Sequence, residues 1–360
     1  MTKRVGAAVV AAIVLLAVAA LAFLWFSPGL QDAMLRRVVE ANLSADGAVL
    51  SEDALHVVFC GTGSPMPDPE RAQACYAVYA GDKLFFVDAG TGGWNNLAAY
   101  GLPVGGVTGV LLTHLHSDHI GGLPDLALNT WAAGRSEALV LYGPAGVDDL
   151  AEGLSRAYRV ENQSRIDHHG EELFPRAGAG FRAVEVTVPD RETSTTVYDQ
   201  DGLTITAFHV THEPLHGNAF GYRIDYKGRS VVFSGDTSRD SNLARFGKGA
   251  DVLIHEALAD HMVKLLEEGL AERGDRRSQV MHDIVGAHST PVQGAEIANE
   301  AGVKLLVYSH IVPRLPNAIA KRVFLRGVSD VRKDGVLVAW DGLHLELPAG
   351  SEKIVTRDLR

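Results

Sequence analysis

The segment GVLLTHLHSDHIGG, residues 109–122, gathers four side chains that bind metals well within the six positions 114–119. An apolar strand ending at Thr113 sends residues 114 and 116 to one side through its two-residue period, so the imidazoles of His114 and His116 converge. Asp118 and His119 follow in a turn whose sharp bend the glycine pair Gly121 and Gly122 allows. Imidazole nitrogen beside a carboxylate suits Zn²⁺ or another borderline divalent ion, with Mn²⁺ and Fe²⁺ as alternatives. Four donors, joined by others from elsewhere in the chain, point to two ions.

Elements of a size to position such a cluster are present. The chain has 360 residues, 46% hydrophobic and 21% charged, with two cysteines, which excludes a disordered or disulfide-framed protein. Short β-rich runs (LHVVFC, CYAVYA, KLFFVDAG, VTGVLLTH, ALVLYG, then LTITAFHV, FGYRIDY, RSVVFSGD, DVLIHEA, VKLLVYSH) alternate with helical patterns at 123–134, 147–158, 257–273 and 290–302. This rhythm predicts an α/β body. Residues 152–202 break it and read as an inserted lid, 51–348 as the domain containing it, and 349–360 as a tail. Cys60 and Cys75 lie in neighbouring strands. In an exported domain they either pair, closing a loop of about fifteen residues worth roughly 3 kcal/mol in the chain-entropy picture, or remain buried thiols.

Val5 to Phe26 carries no charge, and at about 1.5 Å per helical residue it spans roughly 33 Å, enough for a bilayer core. Lys3 and Arg4 precede it and the next basic residue is Arg36, which predicts a cytoplasmic N-terminus and a body outside the cytoplasm. Residues 1–27 therefore read as a transmembrane anchor in the inner membrane, with a cleaved signal sequence and a secreted body as the alternative. Residues 28–50 form a stem. The 33 basic and 44 acidic residues give a net charge of −11, so a nucleic-acid partner is disfavoured at the level of the whole chain.

The HLHSDH run resembles the signature of the metallo-β-lactamase-fold hydrolases, which implies an αββα sandwich following the transmembrane helix. Within them the chain is most similar to the branch holding tRNase Z and the zinc arylsulfatases, through Gly61-Thr62-Gly63-Ser64-Pro65, Val87-Asp88-Ala89-Gly90, His212 in THEPLH, Asp236 in Ser234-Gly235-Asp236-Thr237 and His310 in Tyr308-Ser309-His310. The resemblance implies that His114, His116 and His212 hold one metal and Asp118, His119 and His310 the other, with Asp236 between them. It further implies that Asp118 orients the attacking water, while His288 in His288-Ser289-Thr290 protonates the leaving group and Glu256 fixes His288. A cap beside a helix start is the other reading of His288. His255 is either a supporting or a packed histidine. His216 competes with His212 for the ligand position; His209 is expected to pack, and His168 and His169 either touch substrate or face solvent. His56, His261, His282 and His344 receive no role.

Fold alone does not fix a substrate. The lactam-cleaving members carry a cysteine in the second metal site, and neither Cys60 nor Cys75 is placed for that. A lactonase or a non-catalytic binding module fits the motifs less well. A tRNase Z would show a lysine-bearing loop after the first glycines and a long arm gripping tRNA, and this chain has neither. The expectation is therefore a dinuclear zinc hydrolase of small-molecule esters, foremost aryl or alkyl sulfates. The alternative is a phosphodiesterase or a tRNase Z-like 3′-end endoribonuclease. A homodimer is compatible with either.

Overall fold

The computed structural model describes residues 2–44, 50, 53–215 and 217–360. His216 thus lies outside the described residues, as do 45–49, 51 and 52 around the end of the stem. The chain divides into two compact units, Met1–Ala48 and Val49–Arg360.

In the first unit a helix over Thr2–Phe26 is followed by one over Pro28–Ser44. The break falls at Ser27, where the following proline disfavours helical backbone. Among the described residues no single helix is long and apolar enough to cross a membrane; Val10–Phe26 and Pro28–Glu40 pass that test only as a pair, bent by 76°.

Among its described residues the second unit has fifteen strands. The first six are β1 (Ala54–Gly61), β2 (Cys75–Ala80), β3 (Lys83–Ala89), β4 (Val107–Leu111), β5 (Leu139–Gly143) and β6 (Phe181–Glu185). Next come β7 (Ser194–Gln200), β8 (Leu203–His209), β9 (Phe220–Tyr226), β10 (Arg229–Phe233), β11 (Val252–Leu258), β12 (Leu305–Val312) and β13 (Val336–Val338). The last two are β14 (Leu343–Pro348) and β15 (Val355–Asp358). One sheet runs β15-β14-β1-β2-β3-β4-β5-β6 and the other β13-β12-β11-β10-β9-β8-β7.

The two-residue period of β1 shows how this becomes a layered body. Leu55, Val57 and Phe59 face the other sheet, where they join Ile205, Tyr222, Val231 and Phe233 in one buried cluster. Val58 and Cys60 face outward into a second cluster, under Leu97, Leu123 and Val147 from three helices. On the far side Ala295, Ile297 and Phe324 from two further helices cover the outer face of the second sheet. Because both faces of each sheet are covered, the strands read as unbroken apolar runs and not as alternating ones. The layer order helix, sheet, sheet, helix is the expected αββα sandwich. Cys60 and Cys75 are joined as a disulfide, which settles their open pairing.

Two expectations are corrected. Residues 152–202 do not form a separate lid: they supply the helix Arg159–His169 and the strands β6 and β7, each of which ends a sheet. Their strands carry no apolar run because every residue in them is exposed or half-buried. The stretch 349–360 is not a free tail, since Val355–Asp358 pairs antiparallel with β14 over four residues.

Candidate metal centre

The cluster sits where strands of both sheets end. β4 stops at Leu111, two residues earlier than the apolar run suggests, although Leu112 N still donates to Tyr142 O at 2.7 Å. The chain then carries His114 and His116 into the short helix Ser117–Ile120, which brings Asp118 and His119. Gly121 and Gly122 hold ordinary negative φ angles. Their value is close approach: a Cβ on Gly122 would stand 2.4 Å from Gly90 O, and one on Gly121 2.5 Å from Thr91 Oγ1. His212 follows β8, Asp236 follows β10, and His310 lies on β12. Gly235 is different, with φ +60 and a Cβ position only 2.7 Å from Phe220 O, so the turn that delivers Asp236 requires glycine.

Six of the seven expected ligands separate into the two expected sets, and Asp236 falls between them. His114, His116 and His212 bring ligand atoms within 4.8 Å of one another, as do Asp118, His119, Asp236 and His310. In the first set His116 Nδ1 lies 3.0 Å from His114 Nε2 and 3.3 Å from His212 Nε2. In the second, Asp118 Oδ2 is 3.0 Å from His310 Nε2 and 3.3 Å from His119 Nε2. Asp236 Oδ2 stands 3.4 Å from His119 Nε2, 3.3 Å from His310 Nε2 and 3.9 Å from His114 Nε2, so one oxygen faces both sets.

The donors fit divalent ions. Ligand atoms about 2.0–2.1 Å from a tetrahedral ion lie roughly 3.3 Å apart, which matches these spacings. His119 Nε2 and Asp236 Oδ1 are buried with no hydrogen-bond partner, a cost that a coordinated cation removes. Burial, reinforced by His119, pushes His114 well below the usual histidine range and keeps it neutral, the form that ligates. Burial opposes ionisation of Asp118, but the imidazoles of His119 and His310 beside it hold it far below the usual carboxylate range.

A second layer orients these ligands. Asp88, at the end of β3 with φ +56, accepts from Thr113 N and Thr113 Oγ1 at 2.8 Å each and from His119 Nδ1 at 2.8 Å. Thr113 Oγ1 in turn lies 3.1 Å from His114 Nδ1, so a single carboxylate is linked to one ligand in each set. His212 Nδ1 is 3.0 Å from Ala287 O. Sequence reasoning gave Asp88 no role. Its only signal is the Val87-Asp88-Ala89-Gly90 motif, which does not disclose its partners.

Glu256 and His288 do meet: His288 Nδ1 is 3.1 Å from Glu256 Oε1, which also accepts from Thr237 N at 3.1 Å and Ser289 N at 3.0 Å. Burial resists a charge on His288, but Glu256 overcomes it and raises the imidazole to about 9. His288 also lies beside the ligands, its ring centroid 5.7 Å from that of His310 and 5.2 Å from that of His212. His255 is fully buried, with Nδ1 2.6 Å from Glu256 O and its ring under the helix Pro291–Ala301, so it packs behind the site. His209 packs as expected, with Nε2 3.0 Å from Val188 O. His168 and His169 end their helix, and the His169 ring lies 5.2 Å from that of Phe174. Neither joins the metal-type clusters found among the described residues.

A two-sheet sandwich with paired histidine and aspartate clusters at its strand ends is the arrangement of a metallo-hydrolase. The family model described as "Beta-lactamase superfamily domain" matches residues 85–311, which include all seven candidate ligands. The chain belongs to that superfamily as a metallo-β-lactamase-fold hydrolase. It is 35% identical over 264 residues to a Ribonuclease Z of Mycobacterium avium, covering 72% of this chain and 87% of that protein. In fold it is similar to the metallo-beta-lactamase fold protein YhfI from Bacillus subtilis (TM-score 0.58, 21% identity, 82% of this chain and 100% of that one). It is equally similar to human tRNase Z, short form (TM-score 0.58, 23% identity, 81% and 99%). Relatives named Ribonuclease Z weigh against excluding nucleic acid from net charge alone, because the chain-wide balance says nothing of a local cleft.

Proposed function

We propose that the chain is a metal-dependent phosphodiesterase that uses the chemistry of its Ribonuclease Z relatives. The observation that carries this reading is the 35% identity over 72% of the chain, and it favours a phosphodiester over the sulfate ester first expected. His114, His116 and His212 would hold one ion and Asp118, His119 and His310 the other, with Asp236 shared. Two divalent ions, when bound, supply Lewis-acid activation of water and of the diester oxygens. Asp118 orients the water, whose proton passes to solvent. As the water oxygen bonds to phosphorus, the bond to the leaving oxygen breaks and that oxygen keeps the electron pair. His288, held through Nδ1 by Glu256, donates its Nε2 proton there, and solvent restores it.

Residues 1–27 fit this reading as an anchor that holds the body outside the cytoplasm. The uncharged Val5–Phe26 run behind Lys3 and Arg4 supports it, and so does a disulfide, which persists in an oxidising compartment. β9 and β10 are joined by the two residues Lys227 and Gly228, leaving no room there for the long arm that the tRNase Z resemblance implies. A small diester is therefore favoured over a tRNA precursor.

The test is full-length, metal-loaded protein assayed on bis(4-nitrophenyl) phosphate, 4-nitrophenyl sulfate and a tRNA precursor. Diester turnover is expected to dominate; sulfate turnover alone overturns the reaction class, and tRNA cleavage alone overturns the substrate class. Protease added outside sealed inverted and right-side-out vesicles tests the topology: digestion of the body only in inverted vesicles would refute it.

A further inference from the structure

Beside His288 lies a cavity of about 380 Å³ that nothing above uses. The loop residues Met66 and Pro67 form one wall, and Leu266, Leu270, Met281 and Ile284 from the helices Asp260–Ala271 and Arg277–Ile284 form the other. Apart from His288, the lining is apolar except for Ser64 and Arg277. Arg277 is already engaged, its Nη2 2.5 Å and its Nε 3.0 Å from Asp275 Oδ2. The floor is firm: Leu258, Val263, Met281 and Val312 form a buried cluster of their own, with Met66, Leu270 and Ile284 packed on it. The rim is open, with Leu266 40% and Val280 52% exposed.

We propose that this cavity is the leaving-group subsite and that it accepts an apolar alcohol, aryl or branched alkyl, in place of a nucleoside. The inference rests on the phosphodiesterase reading, because it places the group departing from phosphorus next to the imidazole that protonates it. Its size lies in the range of small-molecule pockets. A nucleobase gains affinity by stacking on aromatic rings and by hydrogen bonds along its edges. Among the described residues no Phe, Tyr or Trp lines this cavity, Ser64 supplies its hydroxyl, and the His288 ring is already held by Glu256. An aryl or alkyl group needs neither. It needs only apolar surface removed from water, where each buried methylene is worth roughly a threefold to fourfold gain.

Two measurements on the full-length, metal-loaded protein separate this inference from the reading beneath it. The first is binding of naphthalene-1-sulfonate relative to methanesulfonate. The second is kcat/KM across methyl, butyl and cyclohexylmethyl diesters, whose leaving alcohols are alike in acidity. We expect naphthalene-1-sulfonate to bind at least about 30-fold more tightly than methanesulfonate, and kcat/KM to rise by a similar factor along the series. Leu266→Trp, which narrows the mouth, and Leu266→Asp, which makes it polar, are both expected to cut each preference to under about fivefold. Leu266 is partly exposed, so neither change threatens the core, and Leu265→Ser on the solvent side serves as the control. Absence of all diester turnover refutes the phosphodiesterase reading and the leaving-group role with it. Diester turnover without a size preference, or a preference unchanged by both Leu266 variants, overturns the subsite alone.

Discussion

Replacing Asp88 by Asn tests how the second layer governs the metal ligands. The carboxylate accepts three hydrogen bonds, each 2.8 Å long, and Asn can reproduce only one oxygen of the two. If that oxygen stays on Thr113 N, the amide nitrogen faces His119 Nδ1 and Thr113 Oγ1. His119 must then accept at Nδ1 and carry its proton on Nε2, the atom aimed at Asp118 and Asp236. The Thr113 hydroxyl, now receiving a hydrogen bond, turns to donate to His114 Nδ1 and moves that proton to Nε2 as well. One substitution therefore sets a ligand in each set in the wrong tautomer. Loss of such an orienting partner typically costs 10- to 100-fold in metal affinity, about 1.4–2.7 kcal/mol. Asn tolerates the φ of +56 at this position, so the backbone is kept. Asp88→Ala would instead leave three buried donors unpaired, at about 1–3 kcal/mol each. The assay is Zn²⁺ titration against a fluorescent chelator, with thermal melts in excess chelator. We expect Asp88→Asn to weaken both zinc steps by about 10- to 100-fold while its metal-free melt stays near that of the wild type. Affinities within threefold of wild type at both steps refute the tautomer argument.

Three further outcomes are expected. His288→Ala should lower kcat by about 10²–10⁴ on an alkyl diester and far less on a nitrophenyl one, whose leaving group departs without a proton; equal losses would remove His288 from the acid role. Burial, aided by His56, pushes His344 down to about 4. A histidine lowered in this way stabilises the fold above its unfolded value near 6.5, and that contribution, about 3 kcal/mol, disappears as pH falls toward 4. His344→Gln should flatten denaturation midpoints across this window, and an unchanged pH slope would contradict it. Reduction of Cys60–Cys75 should cost about 3 kcal/mol for its fifteen-residue separation, read as a lower urea midpoint; an unchanged midpoint would contradict it.

The clearest part of the site in the sequence was the part closest together along the chain. His114, His116, Asp118 and His119 announce themselves because strand period and turn bring them together within six residues. His212, Asp236 and His310 are assembled by β8, β10 and β12, and only the family resemblance connected them to the first four. Asp88 remained hidden for a related reason: its partners Thr113 and His119 lie 25 and 31 residues away, across a parallel strand pairing. Ten inner strands were read nearly to their bounds because both faces are buried, but the inner strand β14 and the short edge strand β13 were not read. β6, β7 and β15 were missed because edge strands carry polar residues on their open side, and a polar run reads as a loop. The glycine pair after His119 was found for the wrong reason, since its purpose is the close approach of Gly90 and Thr91 and not an unusual turn.

The central claim is that two ions, held by these seven residues, drive phosphodiester hydrolysis. It is tested most directly by bis(4-nitrophenyl) phosphate turnover of the full-length protein as Zn²⁺ is added back after chelation. The account predicts no turnover without metal and a rise that saturates at two equivalents per chain. Saturation at one equivalent, or turnover that survives complete metal removal, would contradict it.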